Sequence, residues 1–320
     1  MRVGNNSSVV PIYAWLILGV SIIAVSSAGA VFQMISSVPP LLKASWRLQA
    51  TSLILFPFAL YQYYNLDTKT KKSTFEMKNM LIVFASGVCL WLHFGSWVWS
   101  LDHTTLPRSL LFVTSHPLVI VLGLWVIKKP VNRKSSTGAI VGFIGASIII
   151  LGVESEGDAS LVGDLAAFFG AVAVVGYFTA GRILREWMPL FIYALPVTLL
   201  AAIFLGISSI IQEDVTFFGS ATDYSVFGWI SARWLPLVAY LAIGPGLIGH
   251  TGINGVLKWF SPFLISVCLV LEPLIGSLIG YFFVSNTIPG LETLIGGAIL
   301  IVGTLMVTTS QHELLDLEGE

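Results

Sequence analysis

Long apolar stretches recur along the chain, separated by short polar loops. A bilayer core about 30 Å thick needs roughly 20 helical residues at about 1.5 Å each. Strands of a membrane barrel would instead be short and alternating. The pattern predicts an all-α integral membrane protein with ten transmembrane helices, termed spans 1 to 10, at residues 12–35, 40–63, 79–100, 105–127, 136–153, 160–181, 189–211, 233–256, 262–284 and 289–309.

Positive and negative charges occupy alternate loops of the predicted topology. Cations dominate the loops after spans 2, 4 and 6, with Lys69, Lys71, Lys72, Lys78, Lys128, Lys129, Arg133, Lys134, Arg182 and Arg185. Acids dominate the loops after spans 5 and 7, with Glu154, Glu156, Asp158, Glu213, Asp214 and Asp223. The positive-inside rule therefore predicts that both termini are cytoplasmic, in a plasma or an organelle membrane. The sequons at Asn5 and Asn6 would then stay unglycosylated.

Three groups of residues recur in order at a nearly constant offset of 156 to 158 positions, which indicates an internal repeat. They are His93-Phe94-Gly95 with His250-Thr251-Gly252, Ser115-His116-Pro117 with Leu271-Glu272-Pro273, and Gly138 and Gly145 with Gly296 and Gly303. Because each repeat holds five spans, the second copy enters the membrane inverted. We expect a cytoplasmic N-terminal segment at residues 1–11, repeats at 12–153 and 160–309, and a cytoplasmic acidic tail at 310–320.

Four segments carry a resemblance to a known family. They are Pro-Leu-Leu-Lys-Ala-Ser-Trp-Arg at 40–47, Gly-x-x-Gly-His-Thr-x-x-Asn at 246–254, Leu-Glu-Pro at 271–273, and Gly-Gly-Ala-Ile-Leu-Ile-Val-Gly at 296–303. With ten short spans in two halves, the chain resembles the EamA-type carriers of the drug/metabolite transporter superfamily. The resemblance implies a secondary carrier of a small solute. One departure is that Lys129-Pro130 and Ser285-Asn286 stand where such carriers commonly have a glutamate.

Composition excludes two other classes of protein. Hydrophobic residues make up 56% of the chain and charged residues 10%, which excludes a soluble globular protein. Sixteen basic residues against seventeen acidic ones leave no excess charge for binding nucleic acid. Cys89 and Cys268 each lie in an apolar stretch, so no disulfide is expected.

Two charged residues lie well inside the predicted spans, where an ionisable group costs several kcal/mol unless it faces a cavity or a partner. Glu272, near the middle of span 9, is a candidate for substrate binding and proton exchange; the alternative is a protonated side chain that bonds a neighbouring helix. For Arg47 in span 2, the resemblance implies a gating or structural part, because carriers of that family commonly have an Arg near this place. Neutralising an anionic substrate, snorkelling outward and pairing with an acid are its alternatives.

Polar and aromatic residues near the same depth complete the predicted substrate site. His93 and Trp97 are four residues apart, as are His250 and Asn254, so each pair shares a helix face. His116 takes the place related to Glu272 by the repeat. The predicted substrate-binding residues are His93, Trp97, His116, Tyr177, His250, Asn254 and Glu272. Core packing and interhelical hydrogen bonds are the alternatives for each.

The remaining motifs are read structurally. The pairs Gly138 with Gly142 and Gly276 with Gly280 predict close helix contacts. Pro245 predicts a break or kink in span 8. Asp164, near the start of span 6, suits the positive end of the helix dipole and needs no catalytic role.

The leading functional hypothesis is a secondary transporter that moves an amino acid, a nucleobase-like metabolite or an amphipathic drug-like solute by alternating access, with protons as a candidate coupling ion. Its expected partners are the lipid bilayer and the small solute, with the oligomeric state open. The alternatives are a nucleotide-sugar or sugar-phosphate exchanger, a channel and a non-transporting scaffold. No P-loop, zinc-protease motif or nucleophile elbow is present, so no enzyme activity, cofactor or metal is expected.

Overall fold

The computed structural model describes residues 10–152, 157–219, 224–260, 262–285 and 288–317. Several positions interpreted above lie outside the described residues: Asn5, Asn6, Glu154, Glu156, Asp223, Asn286 and the last three residues of the acidic tail.

Helices occupy every predicted span. The first half contains α1 (Ile12–Ser26), α2 (Ala28–Met34), α3 (Pro40–Tyr64), α4 (Thr68–Thr74), α5 (Met77–Ser100), α6 (Leu106–Val113), α7 (His116–Val126) and α8 (Arg133–Leu151). The second contains α9 (Leu161–Arg185), α10 (Leu190–Gln212), a 3-10 turn (Gly228–Ile230), α11 (Leu235–Leu241), a π-helix (Ala242–Thr251), α12 (Gly252–Val256), α13 (Pro262–Leu269), α14 (Glu272–Gly280), a second π-helix (Tyr281–Ser285) and α15 (Leu291–Leu317).

Six helical segments within the described ranges are long and apolar enough to cross a membrane, or seven if the bent pair α6 and α7 forms one crossing. The predicted class of all-α membrane protein is confirmed. Ten crossings stay a prediction, because some predicted spans are too polar or too short to be counted. Helix α3 carries Lys43 and Arg47 near its start, and the helices covering span 9 are divided into shorter pieces.

Helix pairs pack through small residues. Helix α8 lies along α15, α3 along α10, and α5 along α9. At the first of these contacts, a Cβ on Gly145 would lie 2.6 Å from the Gly296 carbonyl oxygen, and one on Gly138 would lie 2.8 Å from that of Gly303. A Cβ on Gly276 would lie 2.9 Å from the Ser26 carbonyl oxygen. The predicted packing role of the glycines is confirmed.

Two spans are interrupted at corresponding places. Helices α6 and α7 meet at an angle of 44°, and α7 begins at His116, just before Pro117. Helix α14 likewise begins at Glu272, just before Pro273. Proline suits the first turn of a helix because its missing N–H has no partner there. Both breaks therefore place a helix N-terminus inside the molecule.

Of the two outcomes predicted at Pro245, a break or a kink, the break is wrong. The chain stays helical from α11 through α12, and the ten residues around this proline form a π-helix. Proline disrupts an α-helix because its ring clashes with the carbonyl four residues earlier. The wider turn keeps the segment helical instead.

One buried ion pair joins two helices and a half-buried one joins α3 to the turn after α5, so the prediction about the charges needs correction. Arg108 pairs with Asp164 between α6 and α9, and both side chains are buried. The Lys43 ammonium lies 2.7 Å from an Asp102 carboxylate oxygen. Arg47 and Glu272 are therefore not the only charged residues inside the helices, and Asp164 does more than complement a helix dipole. The partners are distant in sequence, so no local pattern indicates them.

Candidate functional site

Polar residues from both halves converge on two small adjacent cavities at the centre of the molecule. One has a volume of about 30 Å³ and the other about 10 Å³, and His250 lines both. The larger cavity is also lined by His93, Trp97, His116 and Glu272, and the smaller by Arg47, Tyr177 and Asn254. The structure thus brings all eight predicted residues together, while their role in binding stays a prediction.

Helix α5 supplies one wall of the larger cavity. The rings of His93 and Trp97 stack with centroids 6.0 Å apart and planes 17° apart. The Nδ1 atom of His93 lies 2.9 Å from the Gly170 carbonyl oxygen of α9, which fixes the ring against that helix. Across the cavity, the His250 ring centroid lies 6.1 Å from that of His93. The wall is therefore aromatic, with polar edges.

The two helix breaks supply the opposite side of this cavity. His116 and Glu272 are the first residues of α7 and α14, and both are buried. A helix N-terminus carries a partial positive charge that favours a carboxylate over a cation. Two helix N-termini therefore border this cavity.

Arg47 and Asn254 define the smaller cavity. The Arg47 guanidinium lies over the Phe94 ring, 4.6 Å from its centroid, and 5.7 Å from the centroid of Phe32. The side chain is fully buried, so the snorkelling alternative is wrong. Asn254 donates a hydrogen bond from Nδ2 to the Tyr177 hydroxyl, which joins α12 to α9.

Most of the buried polar atoms that lack a hydrogen-bond partner within the described part of the chain lie at this site. Seven of nine such side-chain atoms belong to it: Nε, Nη1 and Nη2 of Arg47, Nε1 of Trp97, Nε2 of His116, Nδ1 of His250 and Oδ1 of Asn254. A buried donor or acceptor without a partner costs about 1–3 kcal/mol. The cluster therefore offers both donors and acceptors to a polar ligand.

The present conformation is too closed for an organic molecule. Ligand pockets commonly hold 300–1,000 Å³, whereas these cavities have room for a water molecule or two. Arg185 Nε donates to the Asn254 carbonyl oxygen at 3.1 Å, so α9 is tied to α12 beside the site. The helices must move apart before a solute can enter.

Sequence reasoning missed the aromatic residues of the site. Phe32 and Phe94 hold Arg47, and Phe178 lines the larger cavity. A phenylalanine within an apolar span looks the same whether it faces lipid, core or cavity. A charged residue in the same span stands out because its burial is costly.

Two larger cavities lie away from this site and are apolar. A groove of about 430 Å³ is formed by side chains of α3, α5 and α10, and one of about 630 Å³ by α6, α14 and α15. Exposed aromatic side chains such as Phe56, Phe75 and Phe84 border the first. Such grooves suit the bilayer, and they lack the charged groups that converge at the centre.

Comparison with known proteins indicates the family. The model of the EamA-like transporter family matches residues 11–151. This match covers somewhat less than half of the chain, and the family is part of the drug/metabolite transporter superfamily. Of the four segments on which the predicted resemblance rests, residues 40–47 lie within the match. The family match and the apolar helices support a multi-pass membrane protein of the transporter class.

The fold has a solved counterpart. A structure described only as "Crystal structure of protein" matches with a TM-score of 0.61 and 21% identity, covering 93% of this chain and 98% of that chain. At this identity the likeness concerns the fold alone. No curated protein matches the chain.

Proposed function

We propose that the protein is a secondary transporter that moves a small organic metabolite by alternating access around the central cavities. The observation that carries this proposal is the convergence of polar atoms without partners, from both halves of the chain, on a closed site in a transporter of the EamA type. The candidate solutes are an amino acid, a nucleobase-like metabolite or an amphipathic drug-like molecule.

The packing of the helices supports an inverted repeat of two five-span halves. Helix α3 pairs with α10, and α8 pairs with α15, which are the second and last members of each half. Helix α5 packs on α9, and the corresponding segment of the second half, from α11 to α12, packs on α1. The breaks before Pro117 and Pro273 also correspond. Two such halves can rock against each other around a shared site.

Solute movement in reconstituted vesicles tests the proposal. Purified protein in liposomes loaded with one candidate solute should accumulate the same labelled solute by exchange, whereas empty liposomes should not. Ion conductance without movement of any organic solute would instead establish a channel. A protein that supports neither would be a scaffold.

Proton coupling through Glu272 is a separate part of the proposal. Glu272 is buried and lines the larger cavity with His116. Gain or loss of a proton by Glu272 would therefore change how strongly a solute binds in this cavity. Glu272→Gln should flatten the dependence of uptake on pH, while the exposed Glu76→Gln should leave it as in the wild type. An unchanged profile in Glu272→Gln would assign Glu272 a structural role.

A further inference from the structure

Two arginines are fully buried in this protein, and their surroundings differ. The Arg108 guanidinium donates to the Asp164 carboxylate, and its Nη1 donates to the Ile149 carbonyl oxygen at 2.6 Å. Every guanidinium nitrogen of Arg108 therefore has an acceptor. Arg47 is equally buried, yet none of its three guanidinium nitrogens has one among the described residues.

The position of Arg47 is fixed without blocking its donors. Phe94 and Phe32 contact the cation through their rings, an interaction worth about 2 kcal/mol where water is excluded. A guanidinium over a ring face still presents its N–H groups at its own edge, as a planar fork of five donors. The Arg47 fork borders the smaller cavity. The side chain is thus held in place for an acceptor that the chain does not supply.

The surrounding groups define the charge of that acceptor. Glu272 acts on Arg47 electrostatically but makes no hydrogen bond to its guanidinium in the described structure. On the same cavity, Asn254 is an uncharged amide and His250 presents an imidazole, so neither adds a second guanidinium or ammonium group. A phosphate dianion would therefore face one cation and a nearby acid. A carboxylate matches the fork in geometry and needs one cation.

We propose that Arg47 binds the carboxylate of the transported solute, so that the substrates are small organic carboxylates, either simple monoanions or zwitterions. This inference rests on the proposed carrier function and changes the assignment of Arg47 from a gating or structural charge to a binding residue. The apolar body of the solute lies against Phe94 and the aromatic wall of α5.

Binding to purified protein tests the charge requirement. The probes are 3-phenylpropionate, hexanoate and phenylalanine as carboxylates, 3-phenylpropionamide as the neutral analogue, phenethylamine as the cation and phenyl phosphate as the dianion. A ligand that binds only the folded state raises the melting temperature. We expect at least one carboxylate to bind with an affinity about 10-fold higher than that of the amide, the amine or the phosphate. A charge-assisted hydrogen bond provides a difference of this size.

Arg47→Met should weaken binding of that carboxylate by about 10-fold to 100-fold, and Arg47→Lys should retain part of it. The apo proteins give a second readout. Arg47→Met removes a buried cation and its ring contacts but breaks no hydrogen bond, so its melting temperature should fall less than that of Arg108→Met. Arg108→Met, the matched control, should melt lower because it leaves Asp164 buried and unpaired.

Several results would overturn the inference. One is that no carboxylate stabilises the wild type; another is that Arg47→Met lowers the apo melting temperature as much as Arg108→Met, which would make Arg47 structural. In vesicles, transport of an amine or a neutral solute at equal rates by wild type and Arg47→Met would leave the carrier function standing and refute the role of Arg47. Ion conductance without solute movement would refute both.

Discussion

Some buried polar side chains in this protein complete a contact between helices, and others face the central cavities. Arg108 belongs to the first group: it joins Asp164, the Ile149 carbonyl and, at 3.4 Å, the Thr293 hydroxyl. Arg47 belongs to the second. The same residue type at the same burial therefore serves different ends, and only the partners distinguish them.

The Arg108 and Asp164 pair gives a stability prediction. Arg108→Met should destabilise the protein by about 3–5 kcal/mol because the carboxylate stays buried without its cation. Adding Asp164→Leu should recover a large part of the loss. Melting temperatures of the wild type, the two single variants and the double variant measure this coupling. Additive losses would show that the pair is not coupled.

Glu213 gives a prediction about pH. Its carboxylate caps the start of α3, accepting from the backbone N–H groups of Leu41 at 2.7 Å and Leu42 at 3.0 Å. Burial raises the pKa of Glu213 above its ordinary value of 4.5, although these two hydrogen bonds act in the opposite direction. The folded protein therefore holds the Glu213 proton at pH values where the unfolded chain has released it.

A raised folded pKa makes stability fall as pH rises from 4.5 through the folded pKa. Glu213→Gln should lack this contribution, so the melting temperature of the wild type relative to the variant should decrease across that window. The exposed neighbour Asp214, changed to Asn, is the control and should follow the wild type. Parallel pH curves for wild type and Glu213→Gln would refute the prediction.

For single residues, the sequence indicates which side chains are functional candidates better than it indicates which residues they contact. Arg47, Glu272 and the histidines stand out because polar groups are costly inside apolar helices. The ion pairs of Arg108 and Lys43 join residues more than fifty positions apart, so only the fold brings them together. The phenylalanines around Arg47 carry no distinguishing pattern.

Helices cross closely wherever glycine replaces a side chain at the contact. The tightest crossing joins α8 and α15, where Gly145 and Gly296 face each other. The sequence predicts a close helix contact at Gly138 and Gly142, but it does not identify α15 as the partner. It does not predict the π-helix, since Gly-Pro-Gly is compatible with a kink, a break or a wider turn.

The crossing of α8 and α15 can be tested by adding volume. Gly145→Val should destabilise the protein by about 1–3 kcal/mol, because its Cβ would meet the backbone of α15. Gly123→Ala is the matched control: nothing lies within 4 Å of its Cβ, so α7 should gain up to about 1 kcal/mol of helix stability. Equal melting temperatures for both variants would contradict the crossing as described.

The whole molecule is described as two halves whose orientation in the membrane is still a prediction. Ten crossings with both termini inside place Lys72 and Lys258 on the cytoplasmic face and Asp158 and Asp214 on the other. Six or seven crossings would distribute these positions differently. The sequence can predict the orientation because the charges of the loops differ between the two sides of the membrane. It cannot predict how the two halves pack, because the contacting residues are distant in sequence.

Single cysteines test the orientation. In a background with Cys89 and Cys268 replaced by Ala, the variants Lys72→Cys and Lys258→Cys should react with an impermeant thiol reagent only from the cytoplasmic side of sealed vesicles. Asp158→Cys and Asp214→Cys should react only from the opposite side. Labelling of Lys258→Cys and Asp158→Cys from one side would exclude an inverted second half.

The π-helix of residues 242–251 has a mechanical consequence for this arrangement. A π-helix closes its hydrogen bonds five residues apart where an α-helix closes them four apart, so each turn stores extra chain. Winding the residues after Pro245 into α-helix would lengthen the segment and rotate everything after it. His250 and Asn254 would then turn relative to α1 and α9 without the backbone losing its ladder of bonds. A change between π-helix and α-helix here would therefore alter both the length of the segment and the orientation of the helix that follows, at a place where the two halves are in contact.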